Sequence, residues 1–380
     1  MKITALLRKL TAIPGVSGRE AVVSQPLLEL LKEYCPDAAL VQGNIIGTFG
    51  KRESGKPHVL LDAHFDQVGL IVTYIDENGF LKVGNLGGLD LRLFPAQTVT
   101  VHGTSDIPGV VCAMPPHLLA GDADVADITD ILIDTGYSKE ELEKIVSLGD
   151  MISFDAPFEE LCGDRICSPA LDDRCGIAAI LYALSQLDAE TLPCSVSVLF
   201  SAQEELGERG AKIAAYTIQP DIALAVDVSF GRANEEAPEK CGSLGGGAMI
   251  GISPSLSAEV SRDLKNIAEA EQIPWQPEVM SGTTGTNADQ FSVTRGGVKA
   301  CTVSIPLRYM HTPAEVIALS DVTATGDLLA AYLRVQDMLN HLESLCRLCG
   351  ASGQEHPVRD YLIEQIKPLG LPIRLTLLAT

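Results

Sequence analysis

The chain has 380 residues, 46% of them hydrophobic and 21% charged, with 34 glycines and 21 prolines, enough for two domains or one large domain with an insertion. Its formal charge of -22 argues against a nucleic-acid partner, because a phosphate backbone demands Lys and Arg. No run of about 18 apolar residues occurs, so neither a transmembrane helix nor a membrane partner is expected.

In chain order, residues 4–13 place Leu6, Leu7, Leu10 and Ile13 at helical spacing, and Pro14-Gly15-Val16-Ser17-Gly18 breaks the helix. Ser17 or Gly18 caps a second predicted helix over residues 19–34, with Glu20 in its first turn. The run from His58 to Ala63 reads as a buried strand ending at His64. Between 69 and 112 the pattern changes to short alternating runs, such as Leu70 to Ile75 and Gln97 to Val101. Turn pairs Asn78-Gly79 and Gly87-Gly88 separate them. That pattern predicts a small all-β unit inserted into an α/β domain.

After Cys167 strand–helix alternation returns. It predicts a helix over 174–187, a strand from Ser195 to Phe200 leading to Glu204, and a strand over 222–226 ending at Asp227. It also predicts a helix over 256–272, a strand over 298–305 and a long amphipathic helix over 321–342. The fold class is therefore α/β, with a discontinuous core of residues 1–67 and 166–342 and an inserted β unit at 68–165. The ten cysteines lack framework spacing, and Met1-Lys2-Ile3-Thr4 opens into a helix without a signal-peptide layout. Both point to reduced thiols and a cytoplasmic protein.

The C-terminal stretch repeats the N-terminus. Displaced by 335 positions, Leu7, Leu10, Gly15, Ser17, Gly18, Glu20, Val23, Leu27, Glu29 and Lys32 match identical residues from Leu342 to Lys367, ten identities over 26 positions. A second copy begins and stops, as a tandem gene fusion ended by a frameshift within Pro372–Thr380 would leave it. Residues 343–380 are expected to be a truncated, poorly ordered repeat, since a partial copy cannot bury its apolar face. Cys346 and Cys349 fall where the first copy has Thr11 and Pro14, which disfavours a redox or zinc role for that pair.

The chemistry-bearing residues lie at or just beyond apolar runs: His64 and Asp66, Asp172 and Asp173, Glu204 and Glu205, Asp227, and His311. An α/β sheet presents functional side chains there. Two imidazoles with several carboxylates are the ligand chemistry of a two-metal hydrolytic site. In His64-x-Asp66, both side chains share one face of an extended segment, so the carboxylate can orient an imidazole that binds metal. One of Asp172 and Asp173 can bridge two ions while the other bonds locally. The plainer reading is a helix-capping pair with Arg174 as counter-ion. Glu204 and Glu205 follow a buried strand, where adjacent like charges are costly without cations. Taken singly, His64 reads equally as a structural histidine, Asp227 as an ordinary strand end and His311 as a helix cap. Their joint occurrence in this order favours the metal site.

Together, the segments Ala63–Gly69, Ala170–Gly176, Gln203–Ala211, Gly285–Asp289 and Arg308–Pro313 resemble the tetrahedral aminopeptidases, the glutamyl-aminopeptidase-like family of co-catalytic metal exopeptidases. The resemblance covers about residues 3–340. It implies a three-layer α/β/α metallopeptidase core and two divalent ions per subunit, zinc or cobalt. Asp172 would bridge the ions through a strained bond to Asp173, His64 and Asp227 would complete one shell, and Glu205 and His311 the other. Glu204 would be the general base for a water held between the ions, and Asp66 would orient His64. The loop Ser281–Asp289, with Gly285, Thr286, Asn287 and Asp289, would bind the first side chain of a short peptide. The inserted unit would mediate dimers that assemble into a hollow tetrahedral dodecamer.

Some members of the family are labelled endoglucanases, which raises a glycoside hydrolase as an alternative. Sugar clefts are usually rich in aromatics, whereas this chain has 5% aromatics and one Trp. The extra C-terminal stretch raises a third reading, an inactive or tail-inhibited assembly subunit.

Overall fold

The structure is a computed structural model and describes residues 2–113, 127–233, 237–348 and 355–366. Helices α1 (Ile3–Thr11) and α2 (Ala21–Lys32) lead into β1 (Ala39–Val41), β2 (Asn44–Phe49) and β3 (His58–His64). Helix α1 buries Leu6, Leu7 and Leu10, and α2 buries Val23, Leu27 and Leu31, the rows that helical periodicity places on one face.

Next in the chain are strands β4 (Gly69–Ile75), β5 (Leu81–Leu86), β6 (Thr98–His102), β7 (Asp106–Val111) and β8 (Leu132–Asp134), then helix α3 (Lys139–Leu142) and β9 (Met151–Phe154). The six strands form a closed barrel in the order β4-β5-β8-β7-β6-β9. Leu70, Val72, Val99, Val101 and Ile152 help fill its separate core, in keeping with the two-residue period of a pleated strand.

The chain returns through β10 (Glu159–Glu160) and β11 (Arg165–Ser168) to α4 (Leu171–Leu184), β12 (Ser195–Ser201), α5 (Arg209–Ile218) and β13 (Ile222–Phe230). Then come β14 (Ala248–Ile252), α6 (Ala258–Ala270), β15 (Trp275–Val279), α7 (Ala288–Val293), β16 (Lys299–Leu307) and β17 (Glu315–Ala318). Helices α8 (Leu319–Arg347) and α9 (His356–Ile366) close the described chain. The main sheet runs β1-β2-β12-β3-β13-β16-β14-β15, with β12, β3, β13 and β16 parallel. β3 and β12 are buried along their whole length, as parallel strands are when helices cover both faces. The fold is α/β. Among the described residues no helix is long and apolar enough to cross a membrane.

Several elements depart from expectation. β13 continues to Phe230 because its pairing with β16 runs on to Leu307, so Asp227 lies inside the strand and not at its end. The turn at His311 leads into strand β17, so there is no helix there for His311 to cap. α8 reaches Arg347, into the second copy of α1. At the same displacement of 335, α9 falls on α2. The second copy thus repeats the helical pattern but not the burial: Leu27 is 2% exposed and its counterpart Leu362 is 41% exposed. Cys349 and the Pro372–Thr380 segment lie outside the described residues.

Candidate metal centre

Three parallel strands deliver most of the site. β3 ends at His64, which pairs with Ser201 at the end of β12. The turn after β12 passes through Gln203 at φ 57 and brings Glu204 and Glu205 alongside. β13 carries Asp227 on the other side of β3. The cis Asp172–Asp173 peptide opens α4, and His311 comes from the turn between β16 and β17.

The side chains converge in two sets. His64 Nε2 lies 3.0 Å from Asp172 Oδ1 and 3.9 Å from Asp227 Oδ1. His311 Nε2 lies 3.4 Å from both Asp172 Oδ2 and Glu205 Oε2. Ligand atoms of Asp172, Glu205 and His311 fall within 4.8 Å of one another, as do those of His64, Glu204 and Glu205 and those of His64, Asp173 and Asp227. Asp173 is otherwise engaged: Oδ2 accepts the His64 N–H at 3.2 Å and Oδ1 the Gly176 N–H at 3.0 Å. It bonds locally while Asp172 faces the cavity.

Asp66 touches His64 and also the turn after β12. His64 Nδ1 lies 3.1 Å from the Asp66 backbone carbonyl and 3.5 Å from its carboxylate. The carboxylate also accepts the N–H groups of Glu204 at 3.0 Å and Glu205 at 3.2 Å. Among the described residues Arg174 makes no direct ion pair with the aspartate pair, though the charge of Asp173 acts on it. It is fully buried, and its guanidinium donates to the carbonyls of Phe65 at 2.9 Å and Leu10 at 2.6 Å. That ties α1 to the end of β3. Gly15 lets the guanidinium through, since a Cβ there would sit 2.8 Å from Arg174 Nη2.

The electrostatics call for cations. Burial pushes the carboxyls of Glu204, Glu205 and Asp227 up, with neighbouring acids adding to the rise, and it pushes Asp62 up to about 7. Burial also acts to raise Asp172, but hydrogen bonds to His311 and His64 outweigh it and hold that carboxyl below the usual range. Burial works against charge on His64, yet hydrogen bonds to Asp172 and Asp66 raise it well above an ordinary imidazole. So many buried acids around two imidazoles are unfavourable unless cations or protons compensate. The donor set of imidazole and carboxylate fits zinc, cobalt or manganese.

A cavity of about 1130 Å³ opens over these groups. His64, Asp172, Glu204, Glu205, Asp227 and His311 line one side, and Met249, Trp275, Met280 and the 281–286 loop line others. Gly285 and Thr286 lie on its wall, but Asn287 and Asp289 do not, which corrects the expectation for those two. Asn287 is 1% exposed, and its amide donates to Asp62 Oδ2 and Ser201 Oγ, both at 2.8 Å. Asp289 accepts the backbone N–H groups of Thr284 and Gly285 and so shapes the loop from beneath. Sequence reasoning missed Glu315, whose carboxylate accepts from the backbone of Asp172 and of His311. Its one sequence signal is an acidic residue four positions beyond His311.

A family model described as M42 glutamyl aminopeptidase matches residues 43–328. A lysyl aminopeptidase of Pyrococcus furiosus is 32% identical over 336 residues, 86% of this chain and 96% of that protein. An aminopeptidase structure from the archaeon Desulfurococcus kamchatkensis matches with a TM-score of 0.82 at 34% identity, covering 88% of this chain and 94% of that one. The TET1 peptidase of Pyrococcus horikoshii, described as able to assemble into a tetrahedron or a large octahedral shell, matches with a TM-score of 0.78 at 32% identity, covering 87% and 99%. A Thermotoga maritima protein named as an endoglucanase matches with a TM-score of 0.71 at 25% identity, covering 88% and 98%.

Proposed function

The chain belongs to the M42 glutamyl aminopeptidase family, and on that premise we propose that it removes N-terminal residues from short peptides using two divalent ions per subunit, zinc or cobalt. One observation carries this reading: Asp172 turns Oδ1 to His64 and Oδ2 to His311, so one carboxylate faces two sets of ligands. His64 and Asp227 would hold one ion, Glu205 and His311 the other, with Asp172 shared. When bound, such ions polarise a scissile carbonyl and make water a nucleophile near neutral pH.

Glu204 is the general base of this reading. Its side chain lines the cavity beside His64, and its backbone is held by Asp66. Burial raises its proton affinity, which suits a group that takes a proton from water and returns it to the leaving amine. The acidic wall would receive the free α-amino group of a peptide, and Gly285 and Thr286 would border its first side chain. By likeness to the TET peptidase, the chain would assemble into a closed homo-oligomeric shell such as a tetrahedron, with the barrel as the proposed dimer contact.

The test is hydrolysis of aminoacyl p-nitroanilides by metal-stripped protein, with zinc or cobalt added back, beside Glu204→Gln. We expect metal to restore turnover in the wild type and the variant to fall about 10²–10⁴-fold below it. Equal restored turnover would remove Glu204 from its role. No turnover from folded, metal-loaded wild type would overturn the activity.

A further inference from the structure

Glu315 opens β17 and is 2% exposed. Its two oxygens reach two separate parts of the chain: Oε1 accepts the backbone N–H of His311 at 3.1 Å, and Oε2 accepts that of Asp172 at 3.1 Å. The side chains of these two residues meet in turn, His311 Nε2 lying 3.4 Å from Asp172 Oδ2. A closed circuit results. One carboxylate joins the two backbones, and the two side chains converge on one position.

The circuit has something to restrain. His311 sits at φ 60 and Tyr309 at φ 62, a left-handed conformation that is strained for a non-glycine residue and persists only when surroundings impose it. The hydrogen bond to the His311 N–H is such an imposition.

We infer that Glu315 is a positioning residue for one ion of the pair, the one assigned to Asp172, Glu205 and His311. This inference rests on the two-ion reading above. The other ion's histidine is held independently, since His64 donates its backbone N–H to the Asp173 carboxylate and its Nδ1–H to the Asp66 backbone carbonyl. Loss of Glu315 therefore acts on the two ions unequally. A carboxamide retains a single acceptor oxygen and cannot satisfy both N–H groups.

The experiment is calorimetric titration of zinc into metal-stripped, full-length wild type, Glu315→Gln and Glu315→Asp, with melting of each metal-free protein. The expected result is two ions in the wild type. In each variant the ion of Glu205 and His311 weakens about 10–100-fold, the usual scale for groups that orient metal ligands, and the other, which shares only Asp172 with it, weakens less. Melting of the metal-free proteins shows whether each variant still folds, so that a weakened ion is read against a folded chain. Glu315→Asp keeps the charge but shortens the reach, so it reports on the clamp should the amide fail to fold. Unchanged affinities, or both ions weakened equally with a lower metal-free melting temperature, would overturn the assignment alone. Uptake of a single ion by the wild type would overturn the two-ion reading and this assignment with it.

Discussion

Asp66 accepts two N–H groups with its two oxygens, from consecutive residues that carry different proposed roles. Asp66→Asn offers one acceptor and turns an NH₂ group toward an N–H donor. A buried donor left unsatisfied costs about 1–3 kcal/mol. We expect kcat/KM to fall at least about tenfold as Glu204 and Glu205 shift together, with some loss of metal affinity. Steady-state kinetics at saturating zinc, beside a metal titration, checks this; unchanged kinetics would show that the loop holds its shape unaided. His64, Asp172, Glu204, Glu205 and His311 could be nominated from the sequence only as a set, each lying at or just beyond an apolar run, since singly they read equally well as structural groups. Glu315, Asp62 and the carbonyl clasp of Arg174 could not, because their partners are backbone atoms or residues more than a hundred positions away.

At the scale of elements, helices α1 and α2 and strand β3 could be read from periodicity, and the barrel from its alternating runs. The length of β13 could not. Its run from Ile222 to Phe230 has no alternation to mark an end, and pairing with β16 sets it. The repeat shows the limit most clearly, since identical residues meet different surroundings. Leu27 on α2 packs in the main core, and Leu362 on α9 stays 41% exposed. Leu27→Ala should therefore cost about 2–5 kcal/mol, the range for a buried leucine. Leu362→Ala should stay within about 0.5 kcal/mol of wild type. Urea unfolding of both variants decides the matter, and a comparable loss at Leu362 would mean that the second copy is packed against a folded body.

For the whole molecule, the formal charge of -22 matters less than where part of it sits. Burial raises the proton affinities of Glu204, Glu205 and Asp227, and of Asp62 to about 7 against an ordinary 3.8, whereas Asp172 is held below its ordinary range by its two histidines. Both histidines are raised as well: burial opposes their charge, but the Asp172 carboxylate prevails. In the metal-free fold these groups hold protons that the unfolded chain has released, so the folded state binds more protons between about pH 4 and 7. Stability then decreases as pH rises through that window, the sign that linkage gives when the native state is the more protonated. Metal ligands must be deprotonated, so binding expels the same protons. Two results should therefore go together. Zinc titrations at pH 7 in buffers of different ionisation enthalpy should show net proton release. The melting temperature of metal-free protein should rise as pH is lowered from 7 toward 5, while that of metal-loaded protein falls as protons compete for the ligands. Buffer-independent heats, or parallel pH profiles with and without metal, would mean that these carboxylates are already ionised in the metal-free fold, and that some other cation offsets them.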